Sequence, residues 1–212
     1  MATTADITVI NAGATRTGSE PITQLSADGG PVAAIALSNY ENLVKAELAN
    51  YPWKRATKII QIDRIDPDEE GDPPEPWTAA YQLPSDLVEI RTVKVSGYPI
   101  NYEVHGDTIL CNAAEDDEVI LHYIWRVPES GWPAWFREGM IRRCEAMFLR
   151  GIGERYAQAD TRDKAAAEQF ALARNRDSQS QTPRDPTVSP TLRARAGLPI
   201  REPGGPWVNW PR

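Results

Sequence analysis

Cysteine and histidine are scarce in this chain, with two of each in 212 residues. Two cysteines, Cys111 and Cys144, are too few for a disulfide framework. His105 and His122 stand alone, so no metal-ligand spacing exists. Cys111 falls in a strand pattern and Cys144 on the apolar side of a helical one, which predicts two small buried hydrophobes. No apolar run reaches membrane-spanning length, so no membrane partner is expected. The N-terminus has neither the basic region nor the apolar run of a signal peptide. The expected setting is a reducing cytoplasm or a particle assembled there. G-x-S-x-G, P-loop and G-x-G-x-x-G motifs are also absent. The expectation is therefore no enzyme, no cofactor, no metal and no catalytic residues.

Charge is unevenly spread. The chain carries a formal net charge of −7. Gln181–Arg212 holds five arginines against two acids, or +3, which leaves −10 for residues 1–180. A body this acidic argues against a nucleic-acid backbone as its main ligand, because phosphate binding needs a positive footprint. It is compatible with a surface past which DNA slides without sticking.

The C-terminal 32 residues are the most unusual part. They contain seven of the eighteen prolines and two of the seven tryptophans, with no apolar period of 2 or 3.6. A solubilising tail would be low in aromatics, and Trp207 and Trp210 are costly to leave in water. A stiff segment with aromatic and arginine anchors is suited to lie on another protein. The residues expected to make that contact are Arg193, Arg195, Arg201, Trp207 and Trp210.

The rest predicts an α+β body over 1–180: a helical bundle with a small antiparallel β-sheet insertion, followed by the extended arm 181–212. Residues 1–30 are polar and rich in Thr, Gly and Ala. Pro31 opens the first helix, about 31–51, where its missing N–H costs nothing. Ala36, Tyr40, Leu43, Val44, Leu48 and Tyr51 give the spacing, and Pro52 ends it. The β-rich part covers about 58–126. Its expected strands are Lys58–Ile62, Trp77–Gln82, Leu87–Val95, Tyr98–Val104, Thr108–Cys111 and Glu118–Arg126, with hairpin turns at Ser96-Gly97 and His105-Gly106-Asp107. In the last strand Val119, Leu121, Tyr123 and Trp125 alternate onto one side. A second helix is expected at about 133–158, with Trp132, Phe136, Met140, Cys144, Phe148 and Ile152 recurring every four residues beside Ile141, Met147 and Tyr156. Gly139, Gly151 and Gly153 within it suggest close helix contacts. An alanine-rich third helix, about 162–176, carries Ala165, Ala166, Phe170 and Ala173 on one face.

Several groups invite chemistry. The segment Asp63–Pro76 has seven acids and four prolines. It lacks the ligand spacing of a calcium loop, so a solvated, self-repelling loop is the simpler reading. The run Glu115-Asp116-Asp117-Glu118 raises a carbohydrate hydrolase using Asp116 or Glu118, but its place between strands reads as a turn. His122 is out of phase with the apolar side of its strand. Gly-Ala-Thr-Arg-Thr-Gly at 13–18 has the outline of a phosphate loop without the Lys-Ser/Thr that would complete it.

The order of several motifs nevertheless has a counterpart. "WTAAYQLPSDLVEIRTV" at 77–93 contains Tyr81, Leu83, Pro84 and Asp86 in a Tyr-x-Leu-Pro-x-Asp pattern. Trp132, Pro133 and Phe136 open the long helix, and Arg176 and Asp177 close the last one. "DITVINAGATRTGSEPITQL" and Trp53 stand before them. Across about residues 6–185 the chain resembles the tail tubular protein A family, the head-to-tail adaptors of short-tailed bacteriophages. The resemblance implies a virion protein at the head–tail junction, assembled in the bacterial cytoplasm. It implies a ring, usually of twelve copies, beneath the portal protein, bearing the tail nozzle protein and passing phage DNA through its lumen. It also implies a C-terminal extension that embraces the portal. A head–tail connector of a long-tailed phage shares the ring role but usually has a smaller chain. An acidic lumen would repel DNA phosphates and keep the exit path free.

Overall fold

The computed structural model describes residues 4–66 and 73–180. Met1–Asp177 forms one compact unit and Ser178–Arg212 a second, of which Ser178–Ser180 lie among the described residues. The order of elements is α1 (Thr4–Arg16), α2 (Gly30–Ala49), a 3₁₀ turn (Lys54–Ala56), β1 (Thr57–Gln61), β2 (Ala79–Gln82), β3 (Leu87–Val95), β4 (Tyr98–Pro99), β5 (Tyr102–His105), β6 (Thr108–Cys111), β7 (Val119–Trp125), a second 3₁₀ turn (Glu129–Gly131), α3 (Ala134–Gly151) and α4 (Tyr156–Gln179). The α+β class is as expected.

Helix α1 corrects the reading of residues 1–30, which placed the first helix at Pro31. Its Thr, Ile, Val and Gly content is poor for a helix. Burial supplies what propensity does not: Val9, Ile10 and Ala14 are inside the core. The Gly13–Gly18 stretch that outlines a phosphate loop is the end of this helix. The Gly18 N–H donates to the Thr15 carbonyl and the Ser19 N–H to that of Ala14. Gly18 takes φ +83°. These are the two bonds of a glycine-terminated helix cap.

Helix α2 starts as predicted, with Pro31 in its first turn, and buries Val32, Ala36, Tyr40, Val44 and Leu48. Helix α3 ends at Gly151, seven residues before the expected end at 158. The chain turns through Gly151–Arg155, where Glu154 has φ +50°. A side chain at 151 would strike the Ile35 Cδ1 atom at 2.6 Å, and one at 139 the Phe170 ring at 2.8 Å, so both glycines mark close helix contacts. Trp132, Phe136, Met140, Cys144 and Phe148 are buried as the four-residue stripe requires, but Ile152 and Tyr156 lie past the break and are exposed. Helix α4 is longer than expected and buries Ala159, Ala166, Phe170, Ala173 and Asp177.

The strands form two antiparallel sheets rather than one, ordered β1-β7-β3-β4 and β2-β6-β5. The expected strand Tyr98–Val104 is divided between them. Its first part pairs with Lys94–Val95, and after Ile100-Asn101 its second part pairs with Thr108–Cys111. Pro99 has no N–H to extend the ladder and sits on an edge strand, where that loss is tolerated. Ser96 and Gly97, both at positive φ, make the two-residue turn predicted between β3 and β4. One apolar cluster joins the sheets through Ala79, Tyr81, Val93, Ile109, Cys111, Val119, Leu121 and Tyr123. Ile124, on the opposite side of β7, joins the helical cluster. The central strand is thereby covered on both faces. Trp125 is half-buried beneath the Lys58 ammonium, 3.8 Å from its ring centre.

Candidate interaction surfaces

Several of the motif residues, Trp53, Tyr81, Asp86, Trp132 and Phe136, are structural parts of the body. Tyr81 is buried between the sheets. Asp86 accepts hydrogen bonds from Lys58 Nζ at 2.5 Å and from the Tyr123 hydroxyl at 2.9 Å. Burial works against its ionisation, but those two donors hold its pKa below the ordinary value; burial, and then the contact with Asp86, push the Tyr123 phenol up to about 12. Phe136 packs edge-to-face against Trp53, Trp132 and Phe170 at centroid distances of 5.1–5.4 Å, and Phe170 lies tilted against Trp53 at 6.3 Å. The Trp53 and Trp132 indole N–H groups donate to the Glu47 and Val127 carbonyls, each at 3.0 Å. A gap of about 20 Å³ beside them is bordered by Arg55, Trp135 and Asp177. That is room for about one water, so the cluster is a core and not a ligand pocket.

Among the described residues three ion-pair networks fasten the helices, and no pairing among their members was expected from the sequence. Arg126 binds Glu41 and the buried Glu129, which also accepts from the Tyr40 hydroxyl. Arg143 joins Glu47 on α2 to Asp163 on α4, and Arg150 adds Asp160 and Asp163. Arg16, at the end of α1, makes a two-pronged contact with Glu138 and a third bond to Glu145. Arg142 and Arg162 complete that last network. Glu138 and Arg142 stand four residues apart, a pair visible in the sequence. The partners of Arg16 required the α1–α3 packing.

The Arg16 network lines an open cleft between α1, α3 and α4. One lobe of about 340 Å³ is bordered by Arg16, Glu138, Arg142, Glu145 and Arg162. A second, of about 290 Å³, shares Arg16, Glu145 and Arg162 and adds Arg155, Gln158 and Thr161.

The remaining candidates are dispersed. Glu115, Asp116 and Glu118 are exposed on the β6–β7 turn, and Asp117 accepts from the Ala114 N–H, as a turn residue does. Asp116 and Glu118 line neither lobe of the cleft. His122 is half-buried, and burial with the charge of Lys94 pushes its pKa down. His105 is exposed at the end of β5. Among the described residues no group of three His, Cys, Asp or Glu is placed to hold a metal ion, and no helix is long and apolar enough to cross a membrane. Residues 67–72 of the acidic loop, and Arg193, Arg195, Arg201, Trp207 and Trp210, lie outside the described residues.

Exposed apolar side chains mark where contact with another chain would gain most. Ile59 lies on β1, at the edge of the four-stranded sheet, and is 61% exposed. Tyr156 and Leu172 are 62% and 59% exposed on α4. A sheet edge has free N–H and C=O groups that can pair with another chain. No protein-family model matches the chain, and no curated protein matches it.

Proposed function

We propose that this chain is a structural head-to-tail adaptor of a bacteriophage virion. In this reading it forms a ring under the portal protein, of twelve copies as the resemblance implies, and supports the tail nozzle protein. Phage DNA passes through without specific binding. The observation that carries the reading is the role of the motif residues. Tyr81, Trp132, Phe136 and Asp177 are buried, and Asp86 ties β1 to β7 through Lys58 and Tyr123. Buried residues of this kind carry a fold, so the motif order supports a fold in common with that family and, with it, a structural role. The acidic body supports a DNA path that does not retain phosphates.

In this assignment α4 and the arm 181–212 dock on the portal, and the sheets and their loops face the nozzle or neighbouring copies. At about 3.1 Å per residue the arm reaches roughly 100 Å. Arg193, Arg195 and Arg201 meet acids of the portal, and Trp207 and Trp210 are its buried anchors. Twelve arms acting together offset the ordering cost of each. Electron microscopy of the chain mixed with its candidate portal protein, beside the chain alone, tests the reading. Adaptor rings stacked on portal rings are expected. A chain that stays monomeric beside bare portal rings would count against it.

A further inference from the structure

We propose that the cleft between α1, α3 and α4 binds a compact polyvalent oxyanion of the pyrophosphate class. Its second lobe brings three guanidinium groups, those of Arg16, Arg155 and Arg162, to a space of about 290 Å³ bordered by a single carboxylate, Glu145. Residues 1–180 are acidic as a whole, so this local excess of positive charge runs against the rest of the body.

The donors are not all used. Arg16 is committed to Glu138 and Glu145. Arg162 reaches Glu145 through Nε at 3.3 Å, and its two terminal nitrogens have no hydrogen-bond partner among the described residues. Arg155 has no carboxylate partner there at all. Its stem folds back over Gly153, where an added Cβ would lie 3.3 Å from it. The Gln158 amide also borders the lobe and has no hydrogen-bond partner among the described residues.

The backbone adds to this. Arg155 immediately precedes the 24-residue helix α4, and its carbonyl accepts the Ala159 N–H. The first turn of α4 contains no acid, so the positive end of its dipole is not offset by its own side chains. Planar guanidinium groups match the paired oxygens of phosphate and carboxylate. The volume corresponds to roughly ten waters, enough for two linked oxyanion groups.

Pyrophosphate titrated into the full chain at constant ionic strength, followed by calorimetry and by the melting temperature, tests the site. Saturable one-to-one binding with a rise in melting temperature is expected. R155Q/R162Q should weaken it by at least about tenfold per guanidinium removed, the size of one charge-assisted hydrogen bond. K164Q removes a positive charge from the same helix outside the cleft and should leave binding unchanged. If R162Q perturbs folding by releasing Glu145, R155Q alone, which breaks no ion pair among the described residues, keeps the test decisive. Citrate in place of pyrophosphate separates a phosphate source from a carboxylate one; binding of either that is lost in R155Q supports the site. No saturable response to either anion at millimolar concentration, an unchanged affinity in R155Q, or an equal loss in K164Q would overturn it.

Discussion

Asp177, two residues before the end of α4, accepts a hydrogen bond at 3.2 Å from the backbone N–H of Lys54, 123 residues earlier. The carboxylate is buried and meets the first N–H of the 3₁₀ turn that leads into β1. One side chain thus fixes the last helix to the point where the helical part gives way to the sheets. Asp177→Ala should lower stability by about 1–3 kcal/mol, because it leaves a backbone donor without its partner. Asp177→Asn keeps an acceptor oxygen and should cost less. Urea unfolding of the two variants checks the order; equal midpoints for Ala and the parent would show that the contact contributes nothing.

Gly13 is the closest approach of α1 to α3. A Cβ there would lie 2.6 Å from the Cβ of Cys144 and 3.3 Å from backbone atoms of Cys144 and Glu145. None of these atoms can swing away. Gly13→Ala gains about 1 kcal/mol of helix propensity but forces α1 off α3, an overpacking cost of roughly 1–3 kcal/mol. Net destabilisation is expected, and C144G in the same chain should recover part of it. A G13A variant more stable than its parent would refute the packing.

Most of the elements were legible where one signal dominated. The apolar period and flanking prolines located α2, and the alternation of Val119, Leu121 and Tyr123 located β7 and its buried face. Tyr98 to Val104 read as one strand because the change from one sheet to the other at Ile100-Asn101 is a tertiary event with no local signature. Helix α1 was missed for a related reason: Ile7-Thr8-Val9-Ile10 has strand-like composition, and only the α3 surface makes it a helix. Ile152 and Tyr156 continued the period of α3 in sequence, whereas the chain leaves the helix after Gly151 and turns at Glu154, which has φ +50°. The cleft arginines come from three helices, so their meeting was invisible until the packing was known. Arg193, Arg195, Arg201, Trp207 and Trp210 rest on composition alone.

Glu138 makes the Arg16 network sensitive to acid. The hydrogen bond from Arg16, with that from Arg142, holds its pKa below the ordinary value of 4.5, against the smaller upward effect of burial. The folded state therefore binds this proton less readily than the unfolded chain. Its stabilisation is present above about pH 4.5 and is lost as pH falls through the lower folded value. Glu138→Gln should lower stability at neutral pH and flatten the acid limb of the stability curve. Urea midpoints measured from neutral pH down to about pH 3 report both effects. Parallel curves for variant and parent would exclude the assignment.

The two cysteines should be inert in the folded protein. Burial, with a smaller contribution from the charge of Glu145, pushes the Cys144 thiol up to about 12, and burial raises that of Cys111 as well. Neither has measurable exposure. A thiol reacts as its thiolate and only when reached by reagent. A disulfide reagent at neutral pH should count no thiols in the native chain and two after denaturation. Fast native labelling of Cys144 would mean that α1 lifts from α3.

Removal of residues 181–212 tests the proposed arm. Among the described residues, the apolar clusters of the helices and sheets draw on positions up to Ala173, and the deletion leaves all of those members in place. The truncated chain should therefore fold, with a cooperative melt and unchanged helical content. Its proposed anchors, Trp207 and Trp210, would be gone, along with Arg193, Arg195 and Arg201. Anchors of this kind commonly account for 2 kcal/mol or more each, roughly thirtyfold in affinity per side chain. Loss of both tryptophans from every copy of a ring is multiplied by the lost avidity. The expected result is a folded body that no longer joins portal-bearing heads, with W207A/W210A in the full chain reproducing most of the defect. A truncated protein that still assembles normally would rule out the arm while leaving the adaptor role of the body open to the ring experiment.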